Sequence, residues 1–104
     1  MTESAISTSA NPKQRTVFYV SDGTGITAEG FGHSLLAQFE KLLIREVRLP
    51  FIDSMAKAQE ALEKINRCSD VESTRPLVFS TLVNPEIAAV MRDANAFVIN
   101  LFAS

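Results

Sequence analysis

The sequence predicts an α/β fold in which an open parallel sheet of about four strands is built from Rossmann-like βα units. Short runs of β-branched and aromatic residues alternate with segments whose apolar residues recur at helical spacing. One strand and one helix together take about 30 residues, which suits right-handed crossovers between parallel strands. The 104 residues end on a strand with no helix after it to cover its faces, so we expect a truncated sheet.

The first strand and helix are the most regular part of the pattern. A strand is predicted at Thr16–Ser21, before the turn residues 22–25, and an amphipathic helix from about Thr27 to Leu43. Gly30 and Gly32 fall inside this helix, which indicates either close approach of a neighbour to the backbone or a frayed first turn. The apolar stripe, which we expect to form core, is Ile26, Ala28, Phe31, Leu35, Leu36, Phe39, Leu42 and Leu43.

The middle of the chain predicts a second strand and helix. Polar and apolar residues alternate over Glu46–Phe51, which predicts a short strand. Asp53 or Ser54 then caps a helix that runs to about Asn66, followed by a polar connection over residues 66–75. The apolar face of this helix is predicted to be Met55, Ala58, Leu62 and Ile65.

The last two strands flank a third helix. The nearly continuous apolar run Pro76–Thr81 predicts a strand. Asn84 followed by Pro85 is typical of a helix start, and this helix is predicted to reach about Asp93. Ala96–Phe102 completes the pattern as a fourth strand, and its uncovered apolar surface predicts marginal stability or association between copies, including a homo-oligomer.

Composition and charge exclude several classes of protein. The formal net charge is −2 and basic residues are not clustered, which disfavours nucleic acid and anionic membranes as partners. The single cysteine, Cys68, is predicted to lie in a polar loop and leaves no disulfide framework or zinc site, and no metal site is predicted. Residues Met1–Arg15 have the composition of a disordered tail, while 16–104 form the domain. With neither a signal peptide nor an apolar run of about 20 residues, a cytoplasmic location is expected.

The turn after the first strand is the strongest candidate binding site. Backbone N–H groups at the start of a helix suit an anion such as phosphate, and the candidate residues are Ser21, Asp22, Gly23, Thr24, Gly25 and Thr27. In a parallel sheet the other strand ends bring Asp53, Thr81, Asn84 and Asn100 to the same edge. The alternative is a purely structural turn, in which the glycines satisfy dihedral angles, Thr24 or Thr27 caps the helix and Asp22 makes an Asx-turn.

Two other interpretations of this part of the sequence, a nucleotide-binding site and a catalytic site, have less support. Gly23, Gly25 and Ala28 match the GxGxxA dinucleotide pattern, but Asp53 lies later than the acid that would bind the ribose. The P-loop pattern is absent. His33 lies four residues after Glu29, which places the two on one helix face, but no nucleophile or substrate group is evident. The catalytic residues therefore stay unknown, and a surface or packed histidine is favoured.

The sequence resembles the amino-terminal domain of the bacterial phosphoenolpyruvate synthase regulatory proteins, which are related to the pyruvate, phosphate dikinase regulatory proteins. The string SDGTGITAE at residues 21–29 is the most specific part of the match. The resemblance covers nearly everything after Arg15 and includes Thr16–Glu29, residues 32–36, 38–39, 49–51, 75–79 and 84–87, and the last strand.

The resemblance implies part of a bifunctional enzyme. Such an enzyme phosphorylates a threonine of phosphoenolpyruvate synthase with ADP and removes the phosphoryl group with inorganic phosphate, releasing pyrophosphate. ADP and phosphate would be co-substrates, with no covalently bound cofactor, and the protein partner would be the synthase or the dikinase. The family's nucleotide P-loop lies in a carboxyl-terminal domain, so no P-loop residue is assigned here and the 104 residues alone are expected to be inactive. A noncatalytic target-docking or phosphate-binding module and a Rossmann-like dinucleotide binder are the alternatives.

Overall fold

The computed structural model describes residues 14–38 and 43–102 and confirms the predicted α/β fold with an open parallel sheet. The predicted tail, Met1–Arg15, lies outside the described residues except for Gln14 and Arg15, which begin the first strand. The described elements, in chain order, are β1 (Gln14–Val20), α1 (Ile26–Leu36), β2 (Leu43–Leu49), α2 (Met55–Glu72), β3 (Leu77–Ser80), α3 (Pro85–Val90), a 3-10 turn (Met91–Asp93) and β4 (Phe97–Asn100).

The four strands are ordered β2-β1-β3-β4 and all run parallel. β1 is therefore central, and Val17 pairs with Glu46 of β2 on one side and with Leu77 of β3 on the other. The chain moves outward from β1 to β2 and then crosses back to β3. Because right-handed crossovers in opposite directions lie on opposite faces of a sheet, α1 covers one face while α2 and α3 cover the other.

Alternate residues of the central strands fill the two faces of the sheet. Phe18, Val20 and Val78 are buried against α2 and α3, whereas Tyr19 and Phe79 are buried against α1. The helices contribute mostly small or aliphatic side chains to these faces. On the α2 side they are Ala58, Ala61, Ile65, Ile87, Val90 and Met91, and on the α1 side Ala28 and Leu36.

The first helix is shorter than predicted. α1 ends at Leu36, and the predicted extension to Leu43 is wrong because Leu43 is the first residue of β2. Phe39 and Leu42 of the predicted stripe lie outside the described residues. The helix meets the sheet through Ala28, Gly32 and Leu36, which lie four residues apart on one narrow line. The rest of the stripe is not core, since Ile26, Phe31 and Leu35 are 64%, 50% and 38% exposed.

Gly32 explains how closely α1 approaches the sheet. A Cβ atom at this position would lie 2.5 Å from Cε1 of the Tyr19 ring, so glycine is required for the contact. The predicted close approach is thus confirmed at Gly32. At Gly30 nothing lies within 4 Å of an added Cβ, and this glycine has no packing role.

The second helix is longer than predicted. α2 begins after Ser54, whose hydroxyl accepts a hydrogen bond from Lys57 N at 3.2 Å, and continues to Glu72. The connection was predicted to start at residue 66, but it covers only residues 73–76, because polar residues of the last turns of α2 bond to the loop before β4. Asn66 Oδ1 accepts from the Asn95 backbone N–H at 2.7 Å, and the Asn95 amide donates to Ser69 Oγ at 2.7 Å.

Two further predictions about α2 and β2 are corrected. Cys68 does not lie in a loop but in α2, half-buried against the core. Met55, predicted to be on the apolar face of α2, is exposed, while Ala61 replaces it in the core. β2 lies three residues earlier than predicted at its start and ends at Leu49.

The remaining elements lie close to their predicted positions. α3 begins at Pro85 after Asn84, whose side chain accepts hydrogen bonds from Glu86 N and Ile87 N. β4 is shorter than predicted and lies at one edge of the sheet, where Phe97 is exposed and Val98 and Ile99 are half-buried. Within residues 14–38 and 43–102, no helix is long and apolar enough to cross a membrane.

Candidate functional site

The turn after β1 lies at the point where the strand order reverses. The chain leaves β1 towards β2 on one side and returns to β3 on the other, so the carboxyl ends of β1 and β3 lie next to each other. The Thr81 backbone N–H donates to Val20 O at 2.9 Å and holds these ends together. In open α/β sheets this is the place where ligands bind.

A pocket of about 250 Å³ opens at this position. The structure brings together all six residues of the predicted phosphate site, because the whole turn from Ser21 to Thr27 lines the pocket. Thr81 and Phe102 come from the loops after β3 and β4 and complete the lining. The pocket is smaller than the roughly 300–1,000 Å³ typical of sites for whole organic ligands, and it suits a small anion or a phosphoryl group.

Hydrogen bonds fix the shape of the turn. Ser21 Oγ accepts from Gly23 N at 3.0 Å, while the carbonyl groups of Ser21 and Gly23 accept from Ile52 N and Phe51 N, both at 2.8 Å. The turn is thereby anchored to the segment after β2. The sequence offered an Asx-turn at Asp22 as one interpretation. Asp22 is exposed, however, and the side-chain bond that closes the turn comes from Ser21.

The start of α1 has the backbone character of an anion site. Its N-cap is Gly25, with φ of 89°, so no capping side chain occupies the first turn. The nearest hydroxyl, Thr24 Oγ1, accepts only a long bond of 3.4 Å from Ile26 N. Within residues 14–38 and 43–102, the N–H groups of Thr27 and Ala28 have no hydrogen-bond partner. Such groups carry the positive end of the helix dipole and favour an anion.

Arg48 lies beside this turn and was not indicated by the sequence. Its side chain crosses the N-cap, since a Cβ at Gly25 would lie 2.9 Å from Arg48 Cγ. The guanidinium Nη2 donates to Glu29 Oε1 at 2.6 Å. In the sequence Arg48 is one polar residue of an alternating strand, and only the pairing of β2 with β1 brings it to α1.

Three residues predicted at the strand ends do not line this pocket. Asp53 pairs with Lys57 in the first turn of α2, with Oδ1 and Nζ 3.1 Å apart. Asn84 caps α3, and Asn100 lines a neighbouring pocket with Arg92. Of the residues predicted to meet at this edge of the sheet, only those of the turn after β1 and Thr81 therefore come together in the pocket. Asp53, the acid that a dinucleotide site would use for ribose, is elsewhere.

His33 belongs to a separate cluster. Its Nε2 lies 2.5 Å from Glu46 Oε2 on β2, while Glu29, on the same helix face, pairs with Arg48. The His33 side chain is 55% exposed, in keeping with the surface histidine that the sequence favours. The Tyr19 hydroxyl donates to the same Glu46 oxygen. Burial and, second, this hydrogen bond to a carboxylate raise the pKa of Tyr19 above its ordinary value. Neither His33 nor Tyr19 lines the pocket, so the cluster holds α1 on the sheet.

The arrangement of acidic and sulfur groups shows no metal centre in the described part of the chain. No group of three or more His, Cys, Asp or Glu side chains among these residues is placed to hold a metal ion.

Comparison with known proteins places the chain in a family. A family model described as kinase/pyrophosphorylase matches residues 17–104, which includes the whole pocket-lining turn. The chain belongs to the kinase/pyrophosphorylase family. The resemblance noted in the SDGTGITAE string is thereby confirmed.

Curated relatives in this family are similar over most of the chain. A protein of Polaromonas sp. is 57% identical over 90 residues, covering 86% of this chain and 33% of its own length. A protein of Herminiimonas arsenicoxydans is 50% identical over 99 residues, covering 92% and 35%. A protein of Hahella chejuensis is 45% identical over 91 residues, covering 88% and 34%. Each is named as a phosphoenolpyruvate synthase regulatory protein, and the chain spans about a third of their length.

Proposed function

We propose that this chain supplies the phosphoryl-binding α/β part of a bifunctional regulator of phosphoenolpyruvate synthase. In the forward direction the complete regulator transfers the β-phosphoryl group of ADP to a threonine hydroxyl of the synthase and leaves AMP. In the reverse direction inorganic phosphate takes that phosphoryl group, which restores the hydroxyl and yields pyrophosphate. The family assignment and the names of the relatives support the regulatory role.

The observation that carries the proposal is the pocket at the reversal of strand order. Each of the two reactions contains a phosphoryl or phosphate group that must be held in place. The pocket offers an anion the unpartnered N–H groups of the first turn of α1 and the hydroxyl groups of Ser21 and Thr24. In this proposal the turn positions the phosphoryl group, and the nucleotide is bound by residues outside the chain described here.

A chimeric enzyme tests this function. Residues 17–104 of this chain replace the matching segment of the Polaromonas relative, which is 57% identical. The chimera is assayed for ADP-dependent phosphorylation of purified synthase and for its phosphate-dependent reversal, with phosphothreonine read by mass spectrometry. We expect both activities in the chimera and the loss of most of both when Asp22 and Thr24 are replaced by Ala.

The control is Asp53→Ala in the same chimera. Asp53 is an exposed carboxylate near the same sheet edge but pairs with Lys57 and does not line the pocket. We expect this variant to keep both activities. Equal rates for the Asp22→Ala/Thr24→Ala chimera and the unmodified chimera would show that the turn is structural only.

A docking role without chemistry is the second candidate, and the outer face of α1 favours it. Ile26, Phe31 and Leu35 are exposed there, and Ile26 also lines the proposed phosphoryl site. A target-docking module would bind the synthase without ADP or phosphate. The test is a sedimentation assay of the 104-residue chain with purified synthase. Docking is favoured if the chain binds the synthase, if Phe31→Ser abolishes this binding, and if the chain binds no phosphate.

A further inference from the structure

We infer that the groove between β2 and α2 docks an acidic, extended segment of another protein, which pairs with the free edge of β2. This β2–α2 groove is a cavity of about 280 Å³ on the α2 face of the sheet. Its lining includes the apolar side chains of Phe18, Val47 and Val71. It shares no lining residue with the pocket at the turn after β1, so the inference goes beyond the proposed function.

The backbone of β2 offers a hydrogen-bonding edge beside the groove. In the described part of the chain β2 is the outermost strand and pairs only with β1. The Leu49 carbonyl group faces β1, where it accepts from Ser21 N at 3.2 Å. Because backbone groups alternate in direction along a strand, the groups that point away from β1 are those of Ile44, Glu46 and Arg48. An edge of this kind is a template for a further strand.

The charge of the groove selects an acidic segment. Three cations line it, Arg45, Lys64 and Arg67, against the single carboxylate of Glu72. Within residues 14–38 and 43–102 none of these three cations forms an ion pair. The groove is therefore positive in a chain whose formal net charge is −2, and a segment with carboxylates complements it.

The opposite face of β2 offers no such charge. There Glu46 is bonded to His33 and Tyr19, and Arg48 to Glu29, so these charged groups already have partners. A strand added to β2 places alternate side chains on the two faces of the sheet. The acidic side chains of the partner therefore belong on the α2 face, at alternate positions of its strand.

The groove also contains a polar atom that lacks a partner. Glu72 Oε2 accepts from Thr16 Oγ1 at 2.6 Å, but Oε1 is buried and has no hydrogen-bond partner among the residues that the structure describes. A buried carboxylate oxygen without a donor costs free energy. A hydroxyl or amide side chain of the docked segment supplies that donor. Pyrophosphate would instead bring further negative charge to this oxygen, which favours a peptide over a free polyanion.

The test is a titration of the 104-residue chain with a seven-residue peptide, followed by the amide NMR signals of β2. The peptide has Glu at its first and fifth positions, Thr at its third and Val at its seventh, which share one face of a strand, and Ser between them. We expect shifts at Ile44, Glu46 and Arg48, whose N–H groups form the free edge. A control peptide with Lys in place of both Glu is expected to bind at least about tenfold more weakly.

Substitutions in the groove locate the site. Arg45→Gln and Arg67→Gln are each expected to weaken binding of the acidic peptide about threefold, because each removes one exposed charge pair. Arg92→Gln is the matched control, since Arg92 is exposed and lines a different pocket, beside α3. This variant is expected to bind as the unmodified chain does. Each variant is compared at equal folded fraction, measured by circular dichroism.

Cys68 provides a second, independent measurement. It is the single cysteine of the chain and lines the groove. The acidic peptide is expected to slow alkylation of Cys68 by iodoacetamide, and the Lys peptide is expected to leave the rate unchanged. The same rate with and without saturating acidic peptide would place the peptide elsewhere and overturn the inference.

Three further results would overturn the inference. One is the absence of β2 shifts with the acidic peptide at millimolar concentration. Another is a set of the same shifts with pyrophosphate, together with displacement of the peptide, which would make the groove a site for anions in general. The third is a set of β2 shifts on concentrating the chain alone, which would assign the edge to a second copy. None of these results bears on the phosphoryl-binding role, which the chimeric enzyme tests separately.

Discussion

The two glycines of α1 allow the packing of this helix on the sheet to be measured directly. Gly30→Ala and Gly32→Ala introduce the same methyl group two residues apart in one helix. Each gains about 1 kcal/mol because alanine is the better helix former. The gain is common to both variants, so the difference between them isolates the steric cost of the methyl group at Gly32.

The size of that cost follows from the surroundings of Tyr19. An added Cβ at Gly32 would lie 2.5 Å from the ring, while at Gly30 it meets nothing. The ring is fully buried, stacks on Phe79 and is bonded through its hydroxyl to Glu46, so it has little freedom to move away. Overpacking of this kind costs about 1–3 kcal/mol. Gly32→Ala is therefore expected to be less stable than Gly30→Ala by about that amount.

Urea unfolding followed by circular dichroism measures the difference in free energy. In a chain of this size 1 kcal/mol corresponds to roughly 4–8 °C in melting temperature. Tyr19 is the only tyrosine and there is no tryptophan, so its fluorescence also reports whether the ring is displaced. If Gly32→Ala proved as stable as Gly30→Ala, with unchanged fluorescence, the close approach of α1 to Tyr19 would be refuted.

Three further predictions concern a titration, a helix cap and the sheet edge. The raised pKa of Tyr19 means that the folded chain holds its proton above pH 10, where the unfolded chain releases it. Stability is therefore expected to fall above about pH 10, by up to about 1.4 kcal/mol per pH unit, and less steeply in Tyr19→Phe, as measured by urea unfolding at several pH values. Asn84→Ala is expected to lose about 1 kcal/mol because its side chain accepts from two N–H groups of α3; an unchanged urea midpoint would contradict this. The edge position of β4 predicts concentration-dependent association that Phe97→Lys reduces, and a monomer at every concentration in analytical ultracentrifugation would argue against it.

Local chemistry in the sequence was enough to predict the elements and their order. Asn84 and Pro85 mark the start of α3 because capping and the missing proline N–H act within one turn of helix. The turn after β1 was found for the same reason, since its glycines and hydroxyls are contiguous. The end of α2 was missed because Asn66 and Ser69 look like loop residues until Asn95, far along the chain, bonds to them.

The contacts that depend on strand pairing could not be predicted. Spacing along α1 places Glu29 and His33 on one helix face, but it does not show that the pairing of β2 beside β1 brings Glu46 to His33 and Arg48 to Glu29. The apolar face predicted for α1 was also wider than the face that the structure buries against the sheet. Only Ala28, Gly32 and Leu36 of α1 are buried against the sheet, because the small Gly32 brings the helix close along a narrow line.

The central position of β1 makes the pocket depend on the completion of the sheet. β1 is made first, yet residue 17 pairs with residue 77, so the strand stays open on one side until most of the described chain has been synthesised. Contacts this distant in sequence form late because a long loop must close before they contribute. The walls of the pocket come from the loops after β1, β3 and β4. An amide in this turn is therefore expected to become protected from hydrogen exchange only when β3 docks, which makes the pocket an indicator of complete folding.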